Sequence, residues 1–150
     1  MVIAPVTQNT FPGALALLMQ SNLPTEDISE VTKLFCIVDN NKVVAAIGVE
    51  FYKNISLLRS FAVNREYSNK GIGNQLVNFI EDFSRQNEMQ EMVLLTTTAT
   101  DYFAKRNYQS IDREDIPHEI KNSSEFKSTC PVSAIVMKKI LQASAKNRQP

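Results

Sequence analysis

At 150 residues the chain is long enough for one domain with a true core. Hydrophobic residues make up 43% and charged residues 21%, the make-up of an ordinary globular protein. Sixteen basic residues balance sixteen acidic ones, which removes any electrostatic reason to expect nucleic acid or an acidic membrane as partner.

An anionic ligand must therefore be held by local geometry. The longest clean apolar run, Val43 to Val49, is far too short to span a bilayer. Met1 to Gln8 carries no basic region ahead of an apolar stretch, so no secretory signal is expected and the location is read as cytoplasmic. Cys36 and Cys130 lie far apart and match no metal spacing, so no metal is expected. Cys36 sits in a strand-like apolar run and reads as a buried small hydrophobe.

Val2 to Val6 reads as a short strand. A helix opens at Thr10-Phe11-Pro12, with Pro12 near the first helical position, where its missing N–H costs little. Leu15, Leu17, Leu18 and Met19 supply its apolar face. Leu34 to Val38 and Val43 to Tyr52 are strand-like, and Asp39-Asn40-Asn41 between them favours left-handed backbone, hence a tight hairpin. Alternation places Val43, Ala45, Ile47, Val49 and Phe51 on one face and Glu50 on the other.

Leu57 to Val63 is a strong strand, followed by the polar loop Asn64 to Lys70 and by Gly71-Ile72-Gly73. From Ile72 the period becomes helical: Ile72, Leu76, Val77, Ile80 and Phe83 share a stripe, and Asn74, Gln75, Asn78, Glu81 and Asp82 face away. Met92 to Leu95 reads as a strand, Thr100 to Asn107 as a short helix, Tyr108 to Ile111 and Ala134 to Ile140 as strands. Between the last two, Pro117 is expected to open one short helix and Ser123 to cap another ahead of Glu125 and Phe126. Strands outnumber helices, which predicts an α/β (mixed α+β) fold, a mixed sheet with helices packed against it. Residues 1–141 are read as a single domain and 142–150 as a disordered tail.

The chemistry is concentrated between Leu57 and Val77. A strand delivers the chain to a loop with two glycines, and a helix starts there. The first N–H groups of a helix lack internal partners and, with the helix dipole, form an anion site. Glycine at 71 and 73 lets backbone approach a phosphate, and Lys70 adds a point charge. Spacing rejects two common phosphate loops. A dinucleotide fingerprint needs glycine where Leu76 stands, and a P-loop needs Gly-Lys-Ser/Thr where Gly73 is followed by Asn74.

The run Val63-x-x-x-Tyr67-Ser68-Asn69-Lys70-Gly71-Ile72-Gly73-x-x-Leu76-Val77 instead resembles the acetyl-CoA cradle of the GCN5-related N-acetyltransferase (GNAT) superfamily. Phe103 to Tyr108 resembles that family's later aromatic helix and turn, and the likeness covers Leu34 to Leu141. It implies a splayed mixed sheet of about six to seven strands flanked by helices. It also implies acetyl-CoA as co-substrate and a small-molecule amine as acceptor, attacked directly in a ternary complex. The backbone of Phe61, Ala62 and Val63 would pair with the pantetheine arm, and the amides of Asn69, Lys70, Gly71, Ile72, Gly73 and Asn74 would hold the pyrophosphate. Two positions depart from the family pattern: Ser68 stands where Arg or Gln is usual, and Phe103 where a tyrosine often protonates the leaving thiolate. Leu57 to Val63, Leu94 to Ala99, Glu125-Phe126 and Cys130-Pro131-x-Ser133-Ala134 together look like the acetyltransferases of arsenic-resistance operons, which suggests detoxification.

Glu50 is the candidate base, against the alternative of a solvated strand carboxylate. Arg59, alone in an apolar strand, needs an anionic partner. That partner is either Glu50 or an acceptor carboxylate. Thr97 and Thr98 offer hydroxyls to the acceptor or are simply good strand residues. Tyr102 is a substitute acid if its helix turns it inward, and core packing otherwise; it projects about 100° from Phe103. His118 reads as a surface residue. Cys130 either binds an arsenical or packs. The rival to an enzyme is a non-catalytic acyl-CoA sensor or partner-binding module, and a homodimer is left open.

Overall fold

The computed structural model describes residues 1–123 and 134–142. In chain order its elements are β1 (Ile3–Pro5), α1 (Phe11–Gln20), β2 (Lys33–Asp39), β3 (Lys42–Tyr52), β4 (Ile55–Val63), α2 (Ile72–Gln86), β5 (Glu91–Thr96), α3 (Thr100–Ala104), β6 (Gln109–Ile111), α4 (His118–Lys121) and β7 (Ile135–Ile140). The strands form one seven-stranded mixed sheet in the order β1-β2-β3-β4-β5-β7-β6. The fold is the expected α/β type. By Cα proximity the chain falls into two units, Met1–Glu50 with Leu58–Asp82, and Phe51–Leu57 with the residues from Phe83 onward.

In the first unit β2 and β3 form the expected hairpin, closed by Asp39 opposite Lys42. Asn40 and Asn41 both have positive φ, 51° and 63°. That is the backbone a two-residue turn needs to match strand twist, and asparagine tolerates it better than most residues. Helix α1 buries Ala14, Leu17 and Leu18 against Cys36, Val43, Ala46 and Ala62. Phe79 of α2 meets Phe35 with ring centroids 4.8 Å apart. Phe35 and Cys36 are neighbours in β2 and point to opposite faces, so α1 and α2 cover opposite faces of this part of the sheet.

Burial on both faces explains why β3 reads as a near-continuous apolar run. It also overturns the alternative of a solvated carboxylate at position 50, since Val43 to Glu50 are all buried. Two helix faces differ from the periodicity as well. Met19 is 64% exposed, because it lies a full step round the helix from the Ala14–Leu17–Leu18 arc. Glu81 is 3% exposed rather than outward, because it sits four residues from Val77 and one from Ile80, at the edge of the buried stripe.

In the second unit the parallel ladder of β4 with β5 runs through Ile55, Ser56 and Leu57 opposite Glu91, Met92 and Val93. Strand β5 then pairs antiparallel with β7, and β7 with β6. Ile55, Leu57, Val93, Ile116, Ile120 and Val136 make a local core. Pro117 caps α4, as its position predicts. The helix expected ahead of Glu125 and Phe126, Cys130, and the expected tail apart from Gln142 lie outside the described residues.

Leu57 is fully buried at the centre of that core. Leu57→Ala should cost about 2–5 kcal/mol through lost transfer energy and a residual cavity. Urea unfolding followed by circular dichroism would show this as a lower midpoint at unchanged slope.

Candidate active site and cofactor cradle

A buried charge cluster occupies the first unit. Glu50, near the end of β3, is 0% exposed, and the Arg59 side chain on β4 is equally buried. Gly48 makes room beside it. A Cβ there would lie 2.9 Å from Leu34 Cδ2 and 3.4 Å from the Arg59 carbonyl oxygen. Arg59 Nη1 donates to Glu50 Oε2 at 3.1 Å, and Thr32 Oγ1 donates to the same oxygen at 2.5 Å. The stronger engagement is with Asp27, in the connection between α1 and β2. Nη1 reaches Asp27 Oδ2 at 2.8 Å, and Nη2 reaches Oδ1 at 2.7 Å. Parallel two-pronged pairing of this kind is the strongest geometry a guanidinium offers a carboxylate. Arg59 therefore meets Glu50, one of the two partners its sequence context allowed, together with Asp27, which sequence reasoning missed.

The next residue in β4 is the backbone outlier of the site. Ser60 has φ +56° inside a strand. For a non-glycine residue this left-handed conformation costs on the order of 1–3 kcal/mol and marks a bulge that re-aims the strand beyond it. The Ser60 hydroxyl accepts from Arg59 Nε at 3.1 Å, so the bulge is held beside the charge cluster. Phe61, Ala62 and Val63 come directly after it, beyond the three residues of β4 laddered to β5.

The chain then turns into the cradle. Asn64 donates its amide to the Val44 carbonyl at 2.8 Å, and its side chain caps a single 3-10 turn, Arg65–Tyr67, by accepting from the Glu66 amide at 2.9 Å. Ser68, which departs from the family pattern, spends its hydroxyl on the Arg65 carbonyl at 2.8 Å. Asn69 and Gly71 have positive φ, 62° and 78°, and nothing lies within 4 Å of a Cβ built on Gly71. Helix α2 begins at Ile72, and its first internal bond runs from the Gln75 amide to the Gly71 carbonyl at 3.0 Å. The amides of Ile72, Gly73 and Asn74 precede that ladder, as the first turn of any helix requires. An exposed glycine under open space, leading into the positive end of a helix, fits a phosphate group. Lys70 Nζ sits 5.6 Å from the centroid of the Tyr67 ring.

Thr97, Thr98 and Tyr102 belong to the second unit. Thr97 and Thr98 are exposed just past β5. Their neighbour Thr96 accepts from the Thr98 and Ala99 amides at 3.3 and 2.9 Å, which turns the chain into α3. Phe103 is buried and packs edge-on to Tyr108 at 5.2 Å. Tyr102 is half-buried, edge-on to Phe103 at 5.1 Å, with the Arg106 guanidinium 5.9 Å from its ring centroid. His118 is exposed and bonded to Asn122. Cys36 is buried, and desolvation pushes its thiol pKa up, so it is not a reactive thiolate. Among the described residues, no three His, Cys, Asp or Glu side chains converge as metal ligands would. No described helix is long and apolar enough to cross a membrane.

A separate cleft of about 300 Å³ lies between α1 and the β2–β3 hairpin, lined by Thr10, Gly13, Gln20, Asn41, Lys42 and Asn64 among others. Its lining includes neither Glu50 nor Arg59, and Asn64 links it to the cradle segment.

The sequence profile of the acetyltransferase (GNAT) family matches residues 10–111. An uncharacterised N-acetyltransferase, CT2212, from Chlorobaculum tepidum is 31% identical over 97 residues, which are 63% of this chain and 62% of that protein. The chain thus spans less than two thirds of that relative's length. Among solved structures, a Mycobacterium tuberculosis protein in complex with CoA superposes with a TM-score of 0.77 at 16% identity, covering 95% of this chain and 100% of that one. The ribosomal-protein-S18-alanine N-acetyltransferase of Escherichia coli gives 0.75 at 15% identity, covering 99% and 98%. The N-acetylglutamate synthase of Neisseria gonorrhoeae, with CoA and L-arginine, gives 0.76 at 14% identity, covering 95% of this chain and 33% of that one.

Removing Arg59 would leave two carboxylates without their buried counter-charge. Arg59→Met should cost about 3–5 kcal/mol, more than most core truncations of similar volume. The double variant Arg59→Met/Asp27→Leu should recover part of that loss in the same chemical denaturation experiment.

Proposed function

The chain belongs to the acetyltransferase (GNAT) family, and from that premise we propose that it transfers an acetyl group from acetyl-CoA to the amine of a small molecule. Both substrates are held at once and the amine attacks directly. The single observation that carries this reading is Gly71, with φ +78° and open space above it at the mouth of α2. On this reading the amides from Asn69 to Asn74 hold the pyrophosphate, with Lys70 as a local cation. The backbone of Phe61, Ala62 and Val63, re-aimed by the Ser60 bulge, takes the pantetheine arm as an added strand, and one of these amides polarises the carbonyl oxygen.

Acetyl-CoA, when bound, supplies the acyl group as a thioester. Glu50 takes the proton shed by the attacking amine, directly or through one water, while Thr32 and Arg59 fix its carboxylate. Tyr102 is the proposed source of the proton that the departing sulfur acquires. Thr97 and Thr98 offer hydroxyls to the acceptor. Arg59 serves the acceptor side by holding the α1–β2 connection through Asp27, since its fork is already engaged there. Two acids facing one guanidinium favour an acceptor that arrives as an ammonium without a carboxylate of its own. Detoxification is the finer role suggested by the likeness to arsenic-operon acetyltransferases. A cytoplasmic location follows from the same reading, and a homodimer is compatible with it.

The rival reading, a non-catalytic acyl-CoA sensor, draws on Phe103, which is buried where a tyrosine acid is common in the family. Release of free thiol from acetyl-CoA in the presence of a panel of small amines separates the two. The enzyme reading expects turnover above the amine-free blank, and turnover with none of the amines would favour the sensor. In calorimetry, Gly71→Val should lose CoA binding while staying folded, because the new Cβ takes up the open space; the strained backbone should lower the melting temperature by only several degrees. Unchanged affinity would defeat the cradle assignment. Glu50→Gln should lower turnover by about 10²–10⁴-fold, and retained turnover would remove Glu50 as the base.

A further inference from the structure

We propose that Tyr67 and Asp39 form a latch that pre-organises the cradle, a pair of positioning residues that hold the 68–71 segment in its binding shape without touching the ligand. The Tyr67 hydroxyl donates to Asp39 Oδ2 at 2.6 Å. Asp39 closes β2 at the hairpin turn, and Tyr67 ends the 3-10 turn just ahead of the cradle. The two meet across 28 residues of sequence. On the strand side the segment is already fixed by the Asn64 amide on the Val44 carbonyl. With Tyr67 also fixed, only Ser68 to Gly71 separate the last anchor from α2, and two of those four have positive φ.

Ordering backbone costs roughly 1–2 kcal/mol per residue, so a short exposed loop that is ordered beforehand spares the ligand that cost. The bond to Asp39, reinforced by the carboxylate's charge, raises the Tyr67 pKa above its ordinary value, so the phenol keeps the proton it donates. Lys70 lies over the same ring, which keeps its ammonium group near the loop.

The latch rests on the CoA-binding reading, so the experiment is a calorimetric titration of CoA into wild type, Tyr67→Phe, Asp39→Asn and Tyr67→Phe/Asp39→Ala. Wild type should bind, and Tyr67→Phe should bind about tenfold more weakly, the worth of one net hydrogen bond. Asp39→Asn keeps an acceptor oxygen and should stay within about twofold of wild type. The double variant should be no weaker than Tyr67→Phe alone, because both changes break the same bond. With a competent acceptor, KM for acetyl-CoA should rise in Tyr67→Phe while kcat holds, a split that general destabilisation would not give. If wild type binds and Tyr67→Phe binds equally well, the latch is overturned and the acetyltransferase reading stands. If wild type binds no CoA, both are overturned.

Discussion

One guanidinium shared by two buried carboxylates is the constraint around which this site is organised. Arg59 cannot sit in an apolar strand unpaired, and Glu50 cannot sit at the end of β3 unpaired, because each charge taken from water costs several kcal/mol unless compensated. Their pairing ties β3 to β4 at this point. The two-pronged bond to Asp27 then brings the α1–β2 connection onto the same spot.

The same arginine steadies the Ser60 bulge. A left-handed serine within a strand persists only where its surroundings over-determine it. Here the Arg59 Nε bond to the Ser60 hydroxyl helps do so. The bulge is followed by three residues that no longer ladder to β5, then by an anchored turn, then by an open glycine and the first turn of α2. Each step places backbone donors where a long ligand carrying a carbonyl at one end and phosphates at the other would meet them.

How much of this was legible in the sequence depended on range. The hairpin turn was readable because Asn40 and Asn41 are among the few non-glycine residues that accept positive φ. The turn into α2 was readable because its glycines are local and its helix stripe is periodic. Glu50 could be placed on a face but not given a depth. Its face-mates Ala46 and Gly48 are small where α1 packs on the first and the Leu34 side chain crowds the second, and both contacts are tertiary facts. Asp27 gave no signal at all, lying in a polar stretch 32 residues from its partner. Ser60 has no local signature, since nothing about serine announces a bulge. Glu81 was misplaced because stripe edges are decided by what packs against them.

The parallel ladder between Ile55–Leu57 and Glu91–Val93 has a kinetic corollary. Its partners cannot meet until the whole intervening stretch, including α2, has been made and folded back, whereas the β2–β3 hairpin closes over two turn residues. Loop-closure entropy therefore sets an order of events in which the hairpin forms early and the crossover late. The strand that carries the bulge, joined to its neighbour β3 through only Lys53 and Asn54, is likewise committed on one side before its other side finds β5.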